Sequence, residues 1–182
     1  MRVIAGEKGG MTLKTPQGMD TRPTIERVKE ALFSSVQFEL PGMQVLDLFA
    51  GTGQLGIEAL SRGAAHADFV DSSPKALALV RENLAHTGLL PKAGLYGCDF
   101  RSFLKSGKTT YDLILLDPPY GENFLFEALK TISEIDILGK DGIIIAEHPV
   151  DRPLRLEGIG LQIEKQRRYG TVLLTRLRKQ TA

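Results

Sequence analysis

The chain has no tryptophan, one cysteine and three histidines. A lone Cys98 excludes an internal disulfide and any multi-cysteine zinc site. His66, His86 and His148 show no ligand spacing, so no metal centre is expected. No apolar run approaches the ~20 residues of a membrane span, and the N-terminus MRVIAGEKGG lacks an apolar signal core. The expectation is a cytoplasmic protein with no membrane partner. Repeats and low-complexity stretches are absent too. What remains is ordinary globular composition over 182 residues, 42% hydrophobic and 25% charged. That suits a single domain over 1–182, with an extension at 1–40 and a core at 41–182.

Positive charge is scarce in the middle. Residues 31–151 carry nine Lys/Arg against 16 Asp/Glu, whereas 1–30 carry six against four and 152–182 eight against two. Basic ends around an acidic centre suit a protein that grips a polyanion with its ends and works on it in between. The same cations would equally solvate edge strands.

The centre alternates strand and helix patterns. Gln44–Phe49, Ala67–Asp71, 93–98, Tyr111–Leu116 and Gly142–Glu147 read as strands. Between them lie a helical IEALSR, a helix from Ser73-Pro74 to about Thr87, and helices around Phe103-Leu104 and Phe124–Ile132. YDLILL is nearly all apolar, as a parallel strand covered on both faces should be. This alternation predicts an α/β fold with a doubly wound, mostly parallel sheet. Leu161–Tyr169 and Thr171–Leu177 around Gly170 predict a terminal antiparallel hairpin. Arg2–Ala5 and Met11–Lys14 predict a small N-terminal β-hairpin, and Thr24 reads as the N-cap of a helix carrying Ile25, Val28, Leu32 and Val36.

Two motifs carry chemistry. DLFAGTGQLG places Gly51, Gly53 and Gly56 in a strand–turn–helix with GxGxxG spacing, where the backbone can approach a ligand closely. Asp71 follows 20 residues after Gly51, placed to hold both hydroxyls of a ribose. That much also fits a nicotinamide cofactor of an oxidoreductase. Asp47, ahead of the glycines, favours a ligand ammonium and would repel a pyrophosphate. The second motif, Asp117-Pro118-Pro119-Tyr120, ends the fourth strand. Asp117 and the Pro118 carbonyl are acceptors for an amino group, Pro119 stiffens the turn, and Tyr120 offers a face for a planar base. A conjugated nitrogen is a poor nucleophile, and aimed acceptors favour the charge it develops on reacting. Cys98 lacks a Pro-Cys context and reads as a small buried side chain, not a nucleophile.

Together DLFAGTGQLG, VDSS, CDF and DPPY resemble the motifs of class I methyltransferases. The resemblance implies that S-adenosylmethionine is the cofactor, with Gly51 and Gly53 around its methionine part, Asp71 on the ribose, and Asp99 and Phe100 beside the adenine. DPPY in such enzymes marks transfer to planar amines. RVIAG, KGG, TRPTIERVKEALFS at 21–34, FAGTGQLGIEALSRGA at 49–64 and RRYGTVLLTRL are similar to the bacterial 16S ribosomal RNA guanine-N2 methyltransferase family, over almost the whole chain. This implies a monomeric enzyme acting on 16S rRNA in the small subunit or its assembly intermediate. It places Arg22, Thr24 and Arg27 near the cofactor carboxylate and the RNA entrance, with Arg2 a further RNA contact. Adenine N6 methylation, or a non-catalytic ribosome assembly role, are the competing readings. Gly9-Gly10-Met11 stands where the family commonly has a basic residue, so this corner has one cation fewer to offer a phosphate.

Overall fold

The computed structural model describes residues 1–17, 23–121 and 123–181, with backbone alone for Pro23 and Thr24. Among these residues seven strands form one sheet: β1 (Gln44–Asp47), β2 (His66–Asp71), β3 (Ala93–Gly97), β4 (Tyr111–Leu116), β5 (Leu138–Pro149), β6 (Leu161–Tyr169) and β7 (Val172–Lys179). Their order is β3-β2-β1-β4-β5-β7-β6. The first five are parallel, and β7 and β6 close the edge antiparallel.

Among the described residues, five α-helices cover the two faces: α1 (Pro23–Ser34), α2 (Gln54–Ser61), α3 (Pro74–Thr87), α4 (Phe100–Ser106) and α5 (Phe124–Ile135). Val28 and Leu32 of α1, Ile57 and Leu60 of α2, and Val80 and Leu84 of α3 pack with Val45, Leu113 and Ile143 on one face. Phe103 and Leu104 of α4 and Leu129 and Ile132 of α5 pack with Leu46, Ile114 and Ile144 on the other. Both faces of β4 are therefore buried, which is why YDLILL has no polar alternation. Chain order reverses between β1 and β4, so the crevice at their carboxyl ends is where an open α/β sheet binds ligands.

The extension differs from its expected form. Arg2 and Thr12 make one antiparallel bridge, and Val3 N donates to Met11 O while Gly10 N donates to Val3 O. The result is a tied loop with a single bridge, not a two-strand ladder. Its anchors are side chains of the core. Buried Glu58 accepts from Ile4 N at 2.9 Å and Ala5 N at 3.1 Å. Buried Asn83 accepts from Lys14 N at 2.8 Å and donates to Lys14 O at 3.1 Å. Lys29 is 2% exposed. Its ammonium donates to Arg2 O at 2.7 Å and lies 3.7 Å from Glu58, which also pairs with Arg62 at 2.9 Å. Burial pulls the Lys29 pKa down while Glu58 pulls it up. α1 begins at Pro23, so Thr24 sits inside its first turn and is not the N-cap. Proline is suited to that first position because its missing N–H would be unpaired anyway.

Candidate active site

The carboxyl edge of the sheet is lined with acids. Asp71 ends β2, Asp47 ends β1, Asp117 follows β4, and Glu147 lies near the end of β5. Leu116 and Ala146 are the last pair in the β4–β5 register, and Asp117 and Glu147 are the residues that follow, close enough for the charge of one to act on the other. Asp47 is in register with Leu115, two residues before Asp117.

Asp47 is 1% exposed. Its Oδ2 accepts from Gly56 N at 3.0 Å, while Oδ1 is buried without a partner among the described residues, as is Gln54 Oε1 at the start of α2. Burial pushes the Asp47 carboxyl up to about 7, against the Gly56 hydrogen bond and with help from the charges of Asp117 and Asp71. Burial also raises Asp117. Glu147 is raised by burial and by the neighbouring Asp117 charge. No cation is paired with any of these three among the described residues.

The glycine loop is held from the far side. Gly51 N donates to Asp71 Oδ2 at 2.9 Å and Ser73 N to Asp71 Oδ1 at 2.9 Å. One carboxylate thus fixes both the glycine turn and the entry to α3. Gly53 has φ +82°, a left-handed conformation costly for other residues, and a Cβ there would lie 3.1 Å from Val80. At Gly56 a Cβ would lie 2.3 Å from the Phe69 ring, so this third glycine seats α2 on β2. Asp99 caps α4 by accepting from Arg101 N at 2.8 Å. Phe100 is buried beside Phe49 and Phe124, and the Arg101 guanidinium lies 4.6 Å over the Phe100 ring.

Beyond Asp117 the chain opens into a cavity of about 480 Å³ lined by Pro118, Pro119, Tyr120, Leu129, Glu147 and His148 among others. Tyr120 is 60% exposed on its rim. His148 stiffens the opposite wall. Its Nδ1 lies 2.9 Å from the Arg152 carbonyl, which can only accept, so Nδ1 carries the proton. Nε2 then accepts from the Thr175 hydroxyl at 2.8 Å, which in turn accepts from Gln166 at 2.7 Å. Burial lowers the His148 pKa, in keeping with this neutral chain of bonds.

The structure gathers Asp47, Gly51, Gly53, Asp71, Asp99, Phe100, Asp117, Pro118, Pro119 and Tyr120 along one edge. Arg2 stands apart in an exposed pair with Glu26, and Arg27 is exposed on α1. Arg22 and the Thr24 side chain lie outside the described residues. No group of three or more His, Cys, Asp or Glu among the described residues forms a metal site, and no helix is long and apolar enough to cross a membrane. Sequence reasoning missed Glu147. Its signal was one acid in the otherwise apolar GIIIAE.

Comparison with known proteins separates a methyl donor from a dinucleotide. Residues 1–178 match the family model described as Conserved hypothetical protein 95. Ribosomal RNA small subunit methyltransferase D of Escherichia coli K12 is 30% identical over 172 residues, 94% of this chain and 86% of its own. The chain belongs to the ribosomal RNA small subunit methyltransferase D family. YlbH of Bacillus subtilis, provisionally named an rRNA methyltransferase, is 43% identical over 175 residues, 93% of this chain and 94% of its own. The solved structure of the Escherichia coli methyltransferase yhhF, also a provisional name, superposes with a TM-score of 0.89 at 27% identity. It covers 100% of this chain and 99% of that one. S-adenosylmethionine is the cofactor of this fold and family, and the residues fit it. Asp47 Oδ1 and Gln54 Oε1 are orphaned buried acceptors of the kind a ligand ammonium would satisfy, and Asp71, beside the glycine turn, is a carboxylate of the kind ribose hydroxyls would meet. A row of acids also favours a cationic ligand over an anionic pyrophosphate.

Proposed function

We propose that the protein transfers a methyl group from S-adenosylmethionine to the exocyclic N2 of one guanine in the 16S rRNA of the small subunit. The observation that carries this reading is the pair Asp117 and Glu147, just beyond the last β4–β5 register pair, beside the cavity that Glu147 lines and Tyr120 rims. Guanine's Watson–Crick edge presents N1–H and N2–H side by side, two donors for two carboxyl groups that share a proton, since an ionised and a neutral carboxyl each still offer an acceptor oxygen. Adenine presents a lone pair at N1, which the ionised member of the pair would repel and the neutral member would meet as a donor. The resemblance of RVIAG, TRPTIERVKEALFS and RRYGTVLLTRL to the guanine-N2 methyltransferases supports guanine over adenine N6.

The bound cofactor supplies a methyl group carried on a positively charged sulfur. Asp117 and the Pro118 carbonyl orient the amine by accepting its N–H protons, and they stabilise the charge it gains as its lone pair leaves conjugation. Half-buried, Asp117 does this in a site partly shielded from water, where such bonds are stronger than in bulk solvent. Pro119 fixes the turn before the base arrives. Tyr120, exposed beside it, stacks on the flipped base, a contact worth roughly 1–3 kcal/mol. Asp117 or water then takes the surplus proton. Transfer is direct, by positioning.

The test is incubation with methyl-labelled cofactor and three acceptors: small subunits from a strain lacking the enzyme, naked 16S rRNA, and unmethylated DNA. Label recovered as N2-methylguanosine from rRNA is the expected result. N6-methyladenine in either nucleic acid would sink the assignment, and no label with any acceptor would favour a non-catalytic assembly role.

A further inference from the structure

A second concavity, of about 290 Å³, lies between α1 and the C-terminal hairpin. Ser34 and Ser35 form its helical wall, Lys165, Arg167 and Tyr169 its strand wall, and Leu174 part of its floor. No carboxylate is in its lining. We propose that this groove is a track for the phosphodiester backbone of the RNA whose base enters the catalytic cavity. The inference rests on the RNA substrate proposed above.

The hairpin separates its cations into two sets. Arg176 and Arg178 are consumed by the fold: both pair with Glu39 and with Glu164, and Arg176 also donates to Ser35 O. Lys165 and Arg167 have no ion pair among the described residues, and both are exposed. They are not needed to close the groove. Along β6, Lys165, Arg167 and Tyr169 alternate on one side, with neighbours roughly 7 Å apart by strand geometry. On the facing helix, Arg27, Ala31, Ser34 and Ser35 share one stripe by their spacing. Arg27 is exposed and unpaired among the described residues, so it extends the basic row towards the start of α1. Lys, Arg and Ser side chains are the groups that position phosphates.

The groove also points the right way. Tyr169 is in register with Val172, and Val172 with Pro149, two residues past Glu147. One end therefore opens beside the catalytic edge. The other is closed by the Arg176 contact to Ser35 O. A strand of RNA lying in it would lead away from the base held at Asp117.

The test uses full-length Lys165→Glu/Arg167→Glu and Lys165→Ala/Arg167→Ala proteins. Binding to small subunits from a strain lacking the enzyme is measured by co-sedimentation at several salt concentrations, alongside KM, kcat, S-adenosylhomocysteine affinity and melting temperature. Charge reversal should raise KM and the dissociation constant at least tenfold, leaving kcat within twofold and the other two readings unchanged. The alanine pair should reduce the log–log salt slope by about 0.7–0.9 for each phosphate that is no longer neutralised. An unchanged KM overturns the proposal, as does weakened binding with an unaltered salt slope, which would mark a protein contact. If the wild type binds subunits through these residues but methylates another base, the guanine assignment falls and the track stands. If the wild type makes N2-methylguanosine and neither variant changes binding, the track falls and the assignment stands.

Discussion

Glu58 and Asp47 are both buried acids on the α2 side of the sheet, yet they are treated in opposite ways. Glu58, 0% exposed, is satisfied by two backbone N–H groups, Lys29 and Arg62. Asp47, 1% exposed, has one N–H, a bare second oxygen and acidic neighbours. The fold therefore completes the carboxylate that holds it together and leaves incomplete those that wait for a ligand. An unsatisfied buried acid costs stability unless a bound cation completes it.

The largest effect should come from breaking the satisfied side. Lys29→Met leaves Glu58 short of a cation and should cost about 3–5 kcal/mol in urea unfolding. Asp117→Ala should do the reverse, lowering kcat by roughly 10²–10³-fold, or about 2.7–4 kcal/mol, with no loss of stability and S-adenosylhomocysteine binding intact. Near-normal turnover would refute its role. Asp47→Asn sharpens the contrast through pH. The folded Asp47 keeps its proton up to about 7, whereas the unfolded chain releases it near the ordinary aspartate value of 3.8. Between those values the native state binds more protons, so Asp47 erodes stability as pH rises, and the loss is complete above about 7. The Asn variant should lack this slope, exceeding the wild type in stability at pH 8 by about 1–3 kcal/mol without cofactor, and should bind cofactor more weakly. A steeper slope in the variant would contradict that account. The smallest effect concerns the rim. Tyr120→Ala should lower kcat/KM by about 1–3 kcal/mol, while Tyr120→Phe should stay close to wild type, and a severe loss in the Phe variant would assign the work to the hydroxyl.

The same contrast explains what could be read from the chain. Strand–helix alternation was legible because parallel strands buried on both faces leave long apolar runs, and α3 matches its expected span, Pro74–Thr87. The glycine turn, Asp71 and DPPY were legible because special backbone and acid placement leave marks at fixed spacing. Glu147 was hidden because only the β4–β5 register brings it beside Asp117. β5 starts at Leu138, earlier than the expected Gly142, because Leu138 pairs with Tyr111 before a register shift. The Lys29–Glu58 pair was illegible for the same reason: the two are far apart in sequence, and each reads as an exposed helical charge. Of the expected N-terminal hairpin only one bridge forms, because Glu58 and Asn83 take up backbone groups of the segment.

That clasp orders events in time. The N–H groups of Ile4 and Ala5 dock on a carboxylate that is more than 50 residues further along. Lys14 docks on Asn83, 69 residues on. Because synthesis runs from N-terminus to C-terminus, residues 4–14 have no seat until α2 and then α3 have emerged. This segment is among the last parts to find its place, and its backbone should gain hydrogen-exchange protection only after the central sheet and its helices have formed.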